Sequence, residues 1–320
     1  MSQLRIVLGS MLAVILANSS VAAFPDKPII VNVCQPAGGG TDRNLQALVP
    51  FAERALGRPF VVQYRAGAGG TLAMQEIKTA PKDGHTLAFC DTGGTLFGPI
   101  AQNLAFGPKD VIPIAQVTLV PWVLTVHAST PYKSVKDVID AAKKAPGQIR
   151  ASIADIASAD HYTWLLFARA SGLGPQGFRW IPYGGGAPKV RAMMAGESHI
   201  DFLLPSLILE PMKNGIMRPL AVAAPARLKE LPDVPTFREL GMDIVDGLSI
   251  SMFAPAGTPQ PVVDTLRAGL LKIKADPEFQ TVYNRMGQDL TTFIPGDRYT
   301  ETWNKTWAEA PGLLRAVMKR

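Results

Sequence analysis

The sequence predicts an α/β protein made of two units, each a mainly parallel sheet flanked by helices. Three observations predict it. Short apolar runs of strand length alternate with longer runs of helical period. The alternation pauses near residue 126 and then starts again. No low-complexity linker parts the two halves, so crossing strands must join them.

Composition agrees with a folded chain. Of 320 residues, 47% are hydrophobic and 18% charged, which excludes global disorder. Two cysteines exclude a disulfide framework and any four-cysteine zinc module. The net charge of +6 is dispersed, with no run of three basic residues. That is no nucleic-acid footprint; it favours anions in general.

The first 23 residues carry one charge, Arg5. Ile6 to Ala17 is an apolar run of twelve residues, and Val21-Ala22-Ala23 supplies small residues before a cut. This reads as a secretory signal peptide over 1–23, cleaved before Phe24. Twelve residues are too few to cross a bilayer as a helix, which takes roughly 20. The alternative is an uncleaved anchor. No cysteine follows the cut, so lipid attachment is not indicated.

In chain order, Ile29 to Val33 reads as a buried strand. Thr41 to Leu56 reads as a helix with Leu45, Leu48, Val49, Ala52 and Leu56 on one face, Pro50 inside it and Gly57 as its C-terminal cap. Phe60 to Tyr64 is a strand, Thr71 to Thr79 a helix and Thr86 to Cys90 a strand. Trp122 to His127 is strand-like and is the expected hinge. Ser134 caps the next helix. Strands Ile149 to Ser152, Phe178 to Ile181 and Ile200 to Leu204 then alternate with helices His161 to Ala170 and Ala187 to Met194. Leu220 to Ala224 and Ile250 to Phe253 are further strands. Helices Pro261 to Ala275, Pro277 to Met286 and Pro295 to Ala308 close the chain, each with proline at its start.

Two turns carry the chemistry. Between the first strand and first helix stands Gln35-Pro36-Ala37-Gly38-Gly39-Gly40-Thr41-Asp42. Glycines allow a tight turn and close approach of a ligand to the main chain. Thr41 suits a helix cap, and free N–H groups at a helix start favour an anion. The place is right, since open α/β sheets bind ligands beyond the carboxyl ends of their strands. A plain tight connection is the alternative. No Gly-Lys-Ser/Thr follows, so this is no P-loop. Gly67-Ala68-Gly69-Gly70 matches a dinucleotide fingerprint only loosely, because Leu72 fills the third glycine position. The second unit offers Asp155-Ile156-Ala157-Ser158-Ala159-Asp160-His161, with Ser158 as the expected cap. Two helix starts facing one cleft hold a carboxylate from both sides, each charge-assisted bond contributing roughly 1.5–3 kcal/mol.

The motifs together resemble one family. They are Pro28-Ile29, the first glycine-rich turn, Arg65 to Gly70, Asp83 to Leu87, Val126-His127 with Ser134 to Asp137, Pro182-Tyr183, Leu231 to Thr236, and Phe253 to Pro259. In order and spacing they resemble the Bug-type substrate-binding proteins of tripartite tricarboxylate transporters, over nearly all of the chain after residue 23. The resemblance implies a two-lobed periplasmic binding protein of type II-like architecture. Lobe 1 would comprise 24–125 and 246–320, and lobe 2 126–245. It also implies a receptor in the periplasm that clamps a di- or aromatic carboxylate for membrane transporter subunits. No catalysis, cofactor or nucleic acid is implied, and the expected state is a monomer.

Carried over by position, the ligand-binding residues are Ala37, Gly38, Gly39, Thr41 and Asp42 in the first turn and Ala157, Ser158, Ala159 and His161 in the second. Thr92, Tyr183, Asp201 and Ser206 fall where pocket side chains sit. The sequence departs from the pattern at Gln35, where an aromatic is common, at Asp155 and Ala157, where glycines are usual, and at Thr95-Leu96, in place of threonine-histidine. Gln35 is expected to donate to a polar ligand group, while Ile156 and Leu96 narrow or dry the pocket. That combination favours an aromatic carboxylate.

Other readings remain beside these. His85, His127, His161 and His199 have no ligand partner at i+3 or i+4, so no metal site is expected. Ser158 with His161 permits a secreted hydrolase, although no Gly-x-Ser-x-Gly elbow supports it. A ligand sensor for a membrane signalling protein would need the same clamp as a transport receptor. Asp201 is equally a ligand contact or a helix cap. Trp122, Trp164 and Trp180 read as core, as do Trp303 and Trp307, one helical turn apart. Cys34 and Cys90 end the first and third strands, which are neighbours in lobes of this kind, so the pair is a candidate disulfide.

Overall fold

The computed structural model describes residues 24–286 and 288–318, so the expected signal peptide, 1–23, lies outside the described residues. The first unit runs β1 (Ile29–Val33), α1 (Gly40–Leu56), β2 (Phe60–Tyr64), α2 (Thr71–Thr79), β3 (Thr86–Asp91), a wide π-helical turn (Gly93–Phe97) leading into α3 (Gly98–Ala101), and β4 (Val111–Pro121). The second runs β5 (Val123–His127), α4 (Val135–Lys144), β6 (Ile149–Ile153), α5 (Ala159–Ala170), β7 (Phe178–Pro182), α6 (Gly186–Met194), β8 (Ile200–Leu203), α7 (Pro205–Lys213) and β9 (Met217–Val222). The chain then returns through β10 (Gly247–Pro255), α8 (Gln260–Ala275), α9 (Pro277–Arg285), the two-residue β11 (Ile294–Pro295) and α10 (Asp297–Met318).

The strands form two sheets, ordered β11-β4-β10-β3-β1-β2 and β7-β6-β8-β5-β9. Setting β11 aside, both follow one plan, with a crossing strand between the third and fourth strands of the unit. Parallel pairing holds for β1 with β2 and β3, and for β6 with β7 and β8. The crossing strands pair antiparallel, β10 with β3 and β4, and β5 with β8 and β9. Each sheet is therefore mixed, because a strand arriving from the other lobe enters in the opposite direction.

The change of lobe comes slightly earlier than expected. Val123, Leu124 and Thr125 already pair with β8 and β9, so the chain leaves the first sheet at Trp122. The apolar run continues through that point, and sequence alone marks no break there. The crossings lie side by side: the Trp122 N–H donates to Asp246 O at 3.3 Å, and the Ala223 N–H to Trp122 O at 2.8 Å. The elements without a counterpart in the sequence expectations include β4 and α7. β4 contains Pro113 and Pro121, and α7 contains Pro211; proline weakens both signals.

Alternation explains the layering. Ile29, Val31 and Val33 of β1, with Leu87 and Phe89 of β3, face a core shared with Leu45, Leu48 and Ala52 of α1 and with α8 and α9. Ala88 and Cys90 point the other way, into a cluster that continues through Phe97 and Trp122 to Tyr162, Trp164 and Phe202 of the second lobe. The lobes thus share an apolar seam. Trp122, Trp164 and Trp303 are buried in it, and Trp180 and Trp307 pack against it. Helix α4 starts at Ser134 with a full capping box, whose hydroxyl accepts from the Asp137 N–H.

Cys34 and Cys90 do lie together at the ends of neighbouring strands, but both thiols are free and buried. The expected bridge is not formed in this structure. Burial, with Cys34 adjoining, raises the Cys90 thiol well above its ordinary pKa.

Candidate functional site

The first turn is shaped by Asp42. Gly38, at φ +81°, turns the chain so that its N–H donates to Asp42 Oδ2 at 2.7 Å. Asp42 Oδ1 accepts from the Tyr64 hydroxyl at 2.9 Å and Gln46 Nε2 at 3.2 Å. Burial pushes the Asp42 carboxyl up, but these bonds from Gly38, Tyr64 and Gln46 outweigh it and hold the pKa below the usual value. The first intrahelical bond runs from Arg43 N to Gly39 O at 3.0 Å. The N–H groups of Gly40, Thr41 and Asp42 find no acceptor among the described residues. They form a triplet of donors at the positive end of a 17-residue helix.

Beneath this turn lies a buried acid, Asp91, that the sequence analysis does not single out. Asp91 Oδ2 accepts from Gln35 Nε2 at 2.8 Å and from the Thr41 hydroxyl at 3.4 Å, and Oδ1 accepts from the Gly94 N–H at 3.2 Å. Burial raises its pKa against the pull of those donors. A readable signal exists: an acid directly after a buried strand, before Gly93-Gly94, at the carboxyl end of the sheet. The loops after β2 and β3 press together here. A Cβ on Gly94 would sit 2.7 Å from the Gly70 carbonyl oxygen. The neighbouring Thr92 hydroxyl is buried without a partner.

In the second turn, the N–H of Ala154 donates to Asp160 Oδ2 at 2.8 Å and that of Asp155 to the Ser158 hydroxyl at 3.2 Å. The Ile156 N–H donates to Asp155 Oδ1 at 2.7 Å and the Ser158 N–H to Asp155 O at 3.1 Å. Ala157, left-handed at φ +60°, donates its N–H to His161 Nδ1 at 3.0 Å. The donors left over are again three, the N–H groups of Ala159, Asp160 and His161 at the start of α5. Since Nδ1 accepts, the neutral ring carries its proton on Nε2, which is buried without a partner. Burial lowers the His161 pKa from 6.5 to about 4. The Ser158 hydroxyl bonds to Asp155 O at 2.6 Å and Asp160 Oδ1 at 2.5 Å, not to His161. A serine–histidine nucleophile pair is therefore not assembled.

A buried ammonium braces this turn. Lys189 Nζ donates to Asp160 Oδ2 at 2.7 Å, Asp201 Oδ1 at 3.0 Å and Phe202 O at 3.1 Å. Asp201 Oδ2 accepts from the Ser152 hydroxyl at 2.8 Å. Burial pushes both carboxyls up; Lys189 brings Asp160 below its ordinary value, while Asp201 stays raised at about 7. The signal for Lys189 was its helical spacing: with Ala192 and Met193 it lies on the buried face of α6.

The two lobes meet beside these turns. The Phe97 ring lies 5.1 Å from that of Tyr162, which follows His161 on α5. Arg169 NH2 pairs with Glu309 of α10 at 3.2 Å, and the Thr163 hydroxyl donates to Asp246 at 2.5 Å.

Residues 46–296 match the model of the tripartite tricarboxylate transporter family receptor, TctC. The chain belongs to that family. Protein BugT of Bordetella pertussis is 30% identical over 273 residues, 82% of each chain. A TctC solute-binding protein from Polaromonas superposes with a TM-score of 0.81 at 25% identity, covering 92% of this chain and all of its own. MatC of Rhodopseudomonas palustris, solved with bound malate, has the same fold, with a TM-score of 0.67 at 24% identity over 91% of this chain and 100% of its own. TctC proteins are solute-binding receptors for transport, not enzymes.

Within this TctC chain, the expected site residues fall into distinct groups. Gln35, Ala37, Gly38, Gly39, Thr41, Asp42 and Thr92 gather at the carboxyl ends of β1 and β3. Ala157, Ser158, Ala159 and His161 gather at the carboxyl end of β6. Tyr183 follows β7, half-buried, its N–H donating to Ile153 O at 3.0 Å. Ser206 is exposed in the first turn of α7. Asp201 differs from expectation: it is fully buried and engaged by Lys189 and Ser152, so it supports the turn from behind. Gln35 differs too. One of its two amide hydrogens is taken by Asp91, which fixes the orientation of the amide. Ile156 is 42% exposed beside the second turn, but Leu96 is buried in the seam and lines no open wall.

Proposed function

We propose that this receptor is exported by its N-terminal segment to the periplasm. There, as a monomer, it closes on a small di- or aromatic carboxylate and presents it to membrane transporter subunits. The observation that carries the reading is the pair of donor triplets, Gly40 to Asp42 and Ala159 to His161, at matching positions of the two lobes. One carboxylate held by both would accept charge-assisted bonds from each side, and no side-chain cation is needed. Thr92 Oγ1 and His161 Nε2 are buried atoms in want of a partner, placed beside the triplets. Closure follows when the ligand binds the closed lobes better than the open ones, with movement about the paired crossings at Trp122 and Asp246.

A thermal-shift panel on the chain beginning at Phe24 tests this. Diacids and aromatic acids are compared with the corresponding amides. Saturation at 100 times Kd stabilises by about 2.7 kcal/mol, a clear rise in Tm for at least one acid and none for its amide. Equal response to acid and amide, or no response to any acid, contradicts it.

A further inference from the structure

The Gln35–Asp91 contact fixes what the first turn shows to a ligand. Every neighbour of the Asp91 carboxyl is a donor: Gln35 Nε2, the Thr41 hydroxyl and the Gly94 N–H. A flipped Gln35 amide would set two acceptor oxygens against each other at 2.8 Å. The orientation is thus dictated by chemistry, and Gln35 Oε1 is the free end. That oxygen accepts no bond from the described residues and is not among the buried unpartnered atoms, so it reaches solvent at the carboxyl end of β1. No lysine or arginine pairs with Asp91 among the described residues.

We infer that Gln35 is a specificity-determining residue that selects carboxylates bearing a hydroxyl or amino hydrogen-bond donor next to the carboxyl group. The inference rests on the carboxylate-receptor reading. The amide triplets take the carboxylate, and Gln35 Oε1 takes the adjacent O–H or N–H. A ligand with only methylene there leaves a desolvated carbonyl unpaired, and one with a second carboxylate there sets acceptor against acceptor.

Isothermal titration with matched acids tests it: malate against succinate, and mandelate against phenylacetate, each pair differing by one hydroxyl. At neutral pH the hydroxy acid of whichever pair binds is expected to bind about tenfold more tightly. Gln35→Met keeps the length of the side chain and removes the acceptor, and is expected to bring the two affinities within about twofold. Equal or tighter binding of the deoxy acid by the natural protein overturns the inference while leaving the receptor intact, and this comparison needs no variant. A preference that survives Gln35→Met also overturns it. Binding of no acid in either pair, with none found by the thermal-shift panel, overturns the receptor reading itself.

Discussion

Phe97 and Tyr162 touch across the seam, ring centroids 5.1 Å apart, one from each lobe. Phe97 ends the wide turn that follows β3, and Tyr162 directly follows His161, the last residue of the second donor triplet. The contact therefore ties the turn after β3 to the start of α5. A double-mutant cycle with Phe97→Leu and Tyr162→Leu, followed by denaturant unfolding, should give a coupling of about 0.5–1.5 kcal/mol. Strict additivity would show that the lobes do not communicate through this pair.

Asp42 organises the first turn, so Asp42→Ala should cost about 1–3 kcal/mol of stability through the unpaired Gly38 and Tyr64 donors. Its folded pKa lies below the ordinary value of 3.8. Its contribution is therefore present above that pH and lost as pH falls through the lower folded value. Chemical denaturation from neutral pH into that acid range checks it. An Ala variant as stable as the parent at neutral pH would be the contrary result.

His161 has the same sign at a higher pH. Its folded pKa of about 4 lies below the unfolded 6.5, so the unfolded chain takes the proton first. Stability is then lost as pH falls from about 6.5 to about 4, by up to roughly 3 kcal/mol. His161→Asn keeps an acceptor for the Ala157 N–H and should flatten that part of the profile. Asp246, raised by burial to about 6, has the reverse sign. It disfavours the fold as pH rises from about 4 through 6, and Asp246→Asn should be the more stable form at pH 7.5. Denaturant midpoints measured across this range separate the two.

Gly94 has no room for a side chain. An added Cβ would stand 2.7 Å from the Gly70 carbonyl oxygen and 2.8 Å from its carbon. Gly94→Ala must push apart the loops after β2 and β3, and should cost at least about 1–3 kcal/mol. Calorimetry showing an unchanged melting temperature would contradict the packing described.

Much of this was legible in the sequence. Strand β1 and helix α1 follow from apolar period, and both turns from their glycine or cap residues at strand ends. What was hidden depends on tertiary pairing. Pro113 inside β4 reads as a breaker until β10 covers it. Lys189 is not singled out by the sequence, and its role appears only when two aspartates enclose it. The Gln35 amide has no fixed orientation until Asp91, 56 residues later, takes one of its hydrogens. Asp201 reads as a ligand contact until Lys189 claims it. In each case a partner distant in the chain decides the role of a residue whose local pattern is ambiguous.

Amide NMR of the chain from Phe24, titrated with a carboxylate that binds, tests the clamp most directly. The resonances of Gly40, Thr41 and Asp42 should shift together with those of Ala159, Asp160 and His161, along one binding curve. Movement confined to one lobe's triplet, or to neither, would contradict it.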